Sequence, residues 1–114
     1  IVTTNNPRIA ILGAGASGIC MAIKLKEAGF TNLVIYEKAD RVGGTWRENT
    51  YPGVSCDVPT HLYSFSFAQK FDWPKLYSGG AEIQAYLEDV SEKSVISPLG
   101  QCHSEITGAT YQND

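Results

Sequence analysis

The feature that most limits the fold of this chain is a glycine triplet in a fixed setting. Gly13, Gly15 and Gly18 form a G-x-G-x-x-G pattern. Directly before it, Arg8-Ile9-Ala10-Ile11-Leu12 is a short, nearly continuous apolar run, as expected of a strand buried on both faces. Directly after it, a helical pattern runs from about Ser17 to Ala28. Ile19, Ala22 and Ile23 share one face, with Met21 and Leu25 beside it, while Lys24, Lys26 and Glu27 fall on the wet side and Gly29 is a stop signal. Leu33-Val34-Ile35-Tyr36-Glu37 then reads as a second buried strand. A strand–helix–strand unit of about thirty residues has the length of a right-handed parallel crossover.

In a chain with 11 glycines in 114 residues the triplet alone says little. Its surroundings give it meaning. Gly13 allows a sharp turn, Gly15 lets backbone approach a pyrophosphate without a Cβ in the way, and Gly18 lets helix and strand pack closely. A diphosphate can then rest on free N–H groups at the positive end of the helix. Glu37, nineteen residues beyond Gly18, stands where a ribose hydroxyl acceptor belongs, and its charge opposes a 2′-phosphate there. The bland alternative is a helix that begins with glycines and a strand that ends in a solvated Glu.

A second glycine pair, Gly43-Gly44, follows in Glu37-x-x-x-Arg41-x-Gly43-Gly44. Bare glycine backbone can fold tightly and present N–H groups to phosphate or ribityl oxygens, although a simple turn would use the same residues. From Lys38 to Ser78 the pattern has no period, and four of the five prolines fall at or after Pro52. A loop region of that length is one that carries function or wraps a ligand. Between about Ala81 and Ser94 a helix returns, with Ile83, Tyr86, Leu87 and Val90 as its apolar stripe. Pro98-Leu99-Gly100 is a turn, and His103 to Tyr111 is read as a strand.

Composition removes several classes. With 9 Lys+Arg against 12 Asp+Glu, no basic stripe exists to neutralise nucleic-acid phosphates. The longest uncharged run, Ile9 to Ile23, is 15 residues with three glycines, too short and too broken to span a bilayer, and it lacks the positive flank of a secretory signal. Cys20, Cys56 and Cys102 include no C-x-x-C pair, which argues against a disulfide scaffold or structural zinc and for a reducing cytoplasm. Cys56 reads as packing, and His61 and His103 are spaced like no metal site. Tyr63, Phe65 and Phe67 alternate with serines, as in a half-buried extended segment.

Residues 43 to 57 read Gly-Gly-Thr-Trp-Arg-Glu-Asn-Thr-Tyr-Pro-Gly-Val-Ser-Cys-Asp. Here the chain resembles the class B flavin-dependent monooxygenases, most closely the Baeyer–Villiger monooxygenases. Their signature is Gly-Gly-x-Trp, four residues, Tyr or Phe, Pro-Gly, three residues, Asp. Gly43, Gly44, Trp46, Tyr51, Pro52, Gly53 and Asp57 fill every defined position. The likeness extends from Arg8 through Tyr63 to Phe67 and the helix around Ile83 to Leu87. It implies a partial Rossmann-like α/β FAD-binding domain, a truncated doubly wound parallel sheet spanning 8–114, with 1–7 as a lead-in.

The resemblance also implies roles. Gly13, Gly15, Ala16, Ser17 and Gly18 would hold the FAD pyrophosphate, Glu37 the adenosine ribose, and Lys38 a point near the adenosine end. Gly44, Thr45 and Trp46 would line the ribityl and flavin part, with the Trp46 indole walling off a flat ring. Asp57 would act in catalysis by positioning an arginine beside the flavin and nicotinamide, although the residue also suits a turn. Val58 and Tyr63 would be flavin-side contacts. In such an enzyme NADPH reduces FAD, dioxygen adds to give a peroxyflavin, and a ketone becomes an ester or lactone.

The second dinucleotide motif for NADPH, the signature between the two domains and the catalytic arginine of that family are absent from these residues. The expectation is an N-terminal part of a longer cytoplasmic protein, inactive by itself. Its partners would be a ketone, dioxygen and the remainder of its own polypeptide, with no nucleic acid and no membrane segment. The rival readings are a nitrogen- or sulfur-oxygenating relative, a non-catalytic nucleotide-binding module acting with a partner chain, and an NAD-dependent dehydrogenase domain, which Gly43-Gly44 and the aromatic loop oppose.

Overall fold

A computed structural model describes residues 5–113. The first four residues of the lead-in and residue 114 lie outside the described residues, and residues 5–7 are exposed. Strand β1 is Ile9–Leu12, helix α1 Ala16–Glu27 and strand β2 Leu33–Tyr36. A one-turn helix α2, Thr45–Glu48, sits in the long irregular stretch, and helix α3 is Gly80–Lys93. A 3-10 turn at Ser97–Leu99 leads into strand β3, Gly100–Gln101.

The sheet is parallel with β2 in the middle. Ile9 pairs with Leu33 and Leu12 with Tyr36 across β1 and β2, and Ile35 pairs with Gly100 across β2 and β3. Alternation along the strands sends Ile11, Leu33 and Ile35 to one face and Ala10, Leu12, Val34 and Tyr36 to the other. On the first face lie Ile19, Ala22 and Ile23 of α1 and Ile83, Leu87 and Val90 of α3, closed by Ile96, Trp73 and Cys56. Fully burying a side chain of this size stabilises by roughly 1.5–3 kcal/mol. The other face carries no helix among the described residues, and Leu12 is 64% exposed there.

Both long helices end on a residue in the left-handed region. Past α1, Gly29 turns left-handed and Phe30 N–H donates to Leu25 O. Past α3 the same position is Val95 at φ +56°, uncommon for a β-branched residue, and Lys26 Nζ donates to the Ser94 and Val95 carbonyls at 3.3 and 3.1 Å. No helix among the described residues is long and apolar enough to cross a membrane.

Two expectations need correction. His103 to Tyr111 forms no strand. The place beside β2 is filled by Gly100–Gln101, and the next amides, His103 and Ser104, donate to Ala39 O and Glu37 O instead. Beyond them no partner strand is present among the described residues, and β propensity without one forms nothing. Tyr63 to Phe67 is a run of turns, not an extended segment. Leu62 and Tyr63 amides close on Pro59 O, and Ala68 N–H closes on Phe65 O, which brings Phe65 and Phe67 into a stack at 5.1 Å.

Candidate functional site

The strand-to-helix turn separates the tasks of the three glycines. Gly13 sits at φ +95°, where an L side chain is strained, and its N–H donates to Tyr36 O at 2.8 Å. A Cβ on Gly18 would lie 2.0 Å from Gly13 O, so that residue is glycine because helix and turn touch. Gly15 has neither reason. Its φ of −81° and ψ of −168° suit any residue, and its Cβ would meet only Gly44 Cα, at an ordinary 3.7 Å. Neither the backbone angles nor the packing requires a glycine there.

The second glycine turn packs directly on the first. Gly43 N–H donates to Ala14 O at 2.9 Å, and a Cβ on Gly44 would stand 3.1 Å from Gly15 Cα. Gly43 takes φ +130° and Gly44 φ +57°. Helix α3 holds this turn from behind. Gln84 Nε2 donates to Val42 O at 2.7 Å, and a Cβ on Gly43 would have to displace its amide group. Two glycine turns thirty residues apart therefore form one surface of bare backbone at the start of α1.

Glu37 follows β2 directly and is buried. Ala14 N–H donates to its Oε1 at 3.3 Å and Ala39 N–H to its Oε2 at 3.2 Å. Arg47 Nη1 lies 3.4 Å from Oε1, and both side chains are only 7% exposed. Burial pushes the Glu37 carboxyl up. The Ala39 and Ala14 amides and the Arg47 charge outweigh it and hold the carboxyl below its ordinary value. Lys38 beside it is exposed.

Past the sheet, a cavity of about 220 Å³ opens over the carboxyl ends of β1 and β2. Leu12, Gly13, Tyr36, Glu37 and Lys38 line it on one side and Ser104, Glu105 and Ile106 on the other. A crevice outside the carboxyl ends of parallel strands is where nucleotides bind in such sheets. Sequence reading missed Ser104 to Ile106, because only the amide bonds from His103 and Ser104 bring that segment across. It also missed Arg47, which no linear spacing connects to Glu37.

On the other side of the glycine turns, Trp46 and Tyr63 meet edge to face at 5.8 Å. The Trp46 indole N–H donates to Tyr63 Oη at 3.2 Å, so that donor is engaged within the protein. Thr45, Asp57 and Val58 are exposed, while Cys56 is packed in the core with Sγ accepting from Val58 N–H at 3.4 Å. Ala16 and Ser17 open α1, Ser17 toward solvent. His61 Nε2 lies 3.2 Å from Phe71 O, and His103 is remote from it in sequence.

A parallel sheet, a helix that starts on a glycine turn and an acid at the end of the second strand define a dinucleotide-binding module. The chain belongs to the NAD(P)-binding Rossmann-like domain family, which it matches over residues 11–78. It is 48% identical over 107 residues to a Baeyer-Villiger monooxygenase of Streptomyces coelicolor, covering 94% of this chain and 21% of that protein. It is 42% identical over 106 residues to the FAD-binding monooxygenase moxY of Dothistroma septosporum, covering 92% and 17%. Its structure is similar to that of cyclohexanone monooxygenase bound to epsilon-caprolactone, with a TM-score of 0.88 and 39% identity over 94% of this chain and 22% of that one. The chain spans about a fifth of the length of the curated relatives it matches. The resemblance carried by Gly43 to Asp57 is borne out by these relatives.

Proposed function

We propose that this chain is the FAD-binding part, residues 8–114, of an NADPH- and dioxygen-dependent flavoprotein monooxygenase that converts ketones to esters or lactones. The observation that carries the reading is Gly15, a glycine that neither backbone angle nor packing requires. It faces Gly44 across a surface without side chains, at the positive end of a twelve-residue helix. The relatives named as Baeyer-Villiger and FAD-binding monooxygenases support the same reading.

In this reading Gly15, Ala16, Ser17 and Gly18 bind the diphosphate with main-chain N–H groups, while Gly13, whose own N–H is held by Tyr36 O, shapes the turn that presents them. Glu37 accepts from the adenosine ribose, and Lys38 flanks that end. Gly44, Thr45 and Trp46, with Val58 and Tyr63, line the ribityl and ring end. The Trp46–Tyr63 hydrogen bond fixes both rings, so the wall is set before the cofactor arrives. Exposed Asp57 orients an arginine from elsewhere in the polypeptide through paired hydrogen bonds. FAD bound here supplies the redox and oxygen-activating chemistry. NADPH is held mainly by residues outside this chain.

The test is direct. The full-length protein should retain FAD, and ketone addition should accelerate NADPH oxidation with a matching yield of ester or lactone. A colourless protein that binds NAD would sink the reading, and turnover of amines or sulfides in place of ketones would assign it to the nitrogen- and sulfur-oxygenating relatives.

A further inference from the structure

Arg47 has no place in the cofactor-binding pattern above, yet it is one of the most enclosed cations among the described residues. Its Nη1 donates to Arg41 O at 2.8 Å and lies 3.4 Å from Glu37 Oε1, and its Nη2 donates to Glu48 Oε1 at 2.9 Å. Its own helix turn α2 begins at Gly44, on the second glycine turn. The guanidinium therefore ties the acid at the end of β2 to the turn that carries Trp46. A planar fork held at three points loses little freedom when it orients a carboxylate.

We propose that Arg47 is the positioning residue of the nucleotide site, holding Glu37 ionised and turned as the acceptor for a ribose hydroxyl. The inference rests on the FAD reading. Its geometric support is the acceptor count on Glu37. Oε1 takes the Ala14 amide and Arg47, and Oε2 takes the Ala39 amide, which leaves acceptor capacity on Oε2 for an incoming hydroxyl. A neutral carboxyl would carry an O–H donor and keep only weaker, uncharged acceptor capacity. The groups around Glu37 are mixed. Lys38, Asp40 and Arg41 follow it on the same segment, Glu48 adjoins Arg47 on α2, and Glu88 and Glu92 face the adjoining cavity from α3. Glu105, from the tail, lines the separate cavity over the strand ends that Glu37 and Lys38 also line. Arg41 is engaged with Glu88 at 3.9 Å on the exposed side, so the cation in contact with the Glu37 carboxylate is Arg47.

The experiment measures FAD dissociation constants of the full-length apoprotein between pH 5 and 8, for the unmodified protein and for R47M, R47K, E37Q and the E37Q/R47M pair. The unmodified protein should hold FAD with nearly constant affinity across this range. R47M should bind about tenfold or more weakly, as expected for loss of a buried ion pair that orients the acceptor, and should weaken further as pH falls, because a buried carboxylate without its cation protonates more readily. R47K should recover part of the affinity at pH 7.5. In the E37Q background R47M should add little, since the group it positions is gone. Unchanged affinity and pH profile in R47M and R47K, or an R47M loss just as large in the E37Q background, would overturn the role of Arg47 alone. Failure of the unmodified protein to bind FAD at any pH would overturn the cofactor reading and this proposal with it.

Discussion

The glycines at positions 15 and 18 are three residues apart, yet replacing each by alanine should affect stability differently. In Gly18→Ala the new methyl meets a main-chain carbonyl, Gly13 O, at 2.0 Å, with Gly13 C at 3.0 Å behind it. A carbonyl cannot swing aside as a long side chain can, so the turn and α1 must part by about 1 Å to restore contact distance. Overpacking of this kind costs about 3 kcal/mol, and the better helix propensity of alanine offsets about 1 kcal/mol. A net loss of about 2 kcal/mol is expected, with weaker FAD binding because the amides of the turn shift. In Gly15→Ala the methyl finds ordinary contact with Gly44 Cα at 3.7 Å and a backbone it can adopt. Stability should be unchanged or higher by about 0.5 kcal/mol, through a less flexible unfolded chain. FAD affinity should nevertheless fall at least tenfold. Chemical unfolding and FAD titration of both variants give the answer. Wild-type FAD binding by Gly15→Ala would refute the assignment of that residue to the ligand, and an unshifted unfolding midpoint in Gly18→Ala would refute the packing account.

Glu37 has a carboxyl held below its ordinary value of 4.5, so its contribution to stability is present above that pH and disappears as pH falls through the lower folded-state value. Unfolding measured between pH 3 and 7 should show E37Q with a flatter acid limb than the unmodified protein. Ile83→Ala removes a core side chain that is 1% exposed and should cost about 2–5 kcal/mol in denaturant unfolding. Val95→Gly relieves a left-handed valine on an exposed surface and should stabilise by roughly 1 kcal/mol, read as a raised unfolding midpoint. Asp57→Asn alters an exposed carboxylate and should move stability by less than about 0.5 kcal/mol. On the function proposed above, the same change in the full-length protein should lower ketone-dependent NADPH oxidation by about tenfold or more.

Local physics made part of this molecule readable in advance. The apolar runs at Ile9–Leu12 and Leu33–Tyr36, the stripe of Ile83, Tyr86, Leu87 and Val90, and the stop at Gly29 are each set by neighbours within a few positions. Observed ends fall within a residue or so of the expected ones. The relation of Gly13, Gly15 and Gly18 to strand and helix was legible for the same reason. What depends on long-range contact was not. β3 is two residues long and exists because β2 offers a free edge, while the better strand formers at Ile106 and Thr107 have no partner. The stacking of Phe65 on Phe67 follows from turns closed on Pro59 and Phe65 carbonyls, a hydrogen-bond pattern no alternation of aromatics and serines encodes. Arg47 reaches Glu37 only because the double-glycine turn doubles back onto Ala14.

The contact between Gly15 and Gly44 has a consequence for altering this protein. The walls at that point are main chain on both sides, and main chain has no rotamers to exchange. Its width cannot be tuned by the point changes that reshape ordinary pockets. It responds to the length and path of the connection from Tyr36 to Gly43, which Gln84 holds in place through Val42 O. Attempts to admit a bulkier or slimmer dinucleotide should begin by lengthening or shortening that connection.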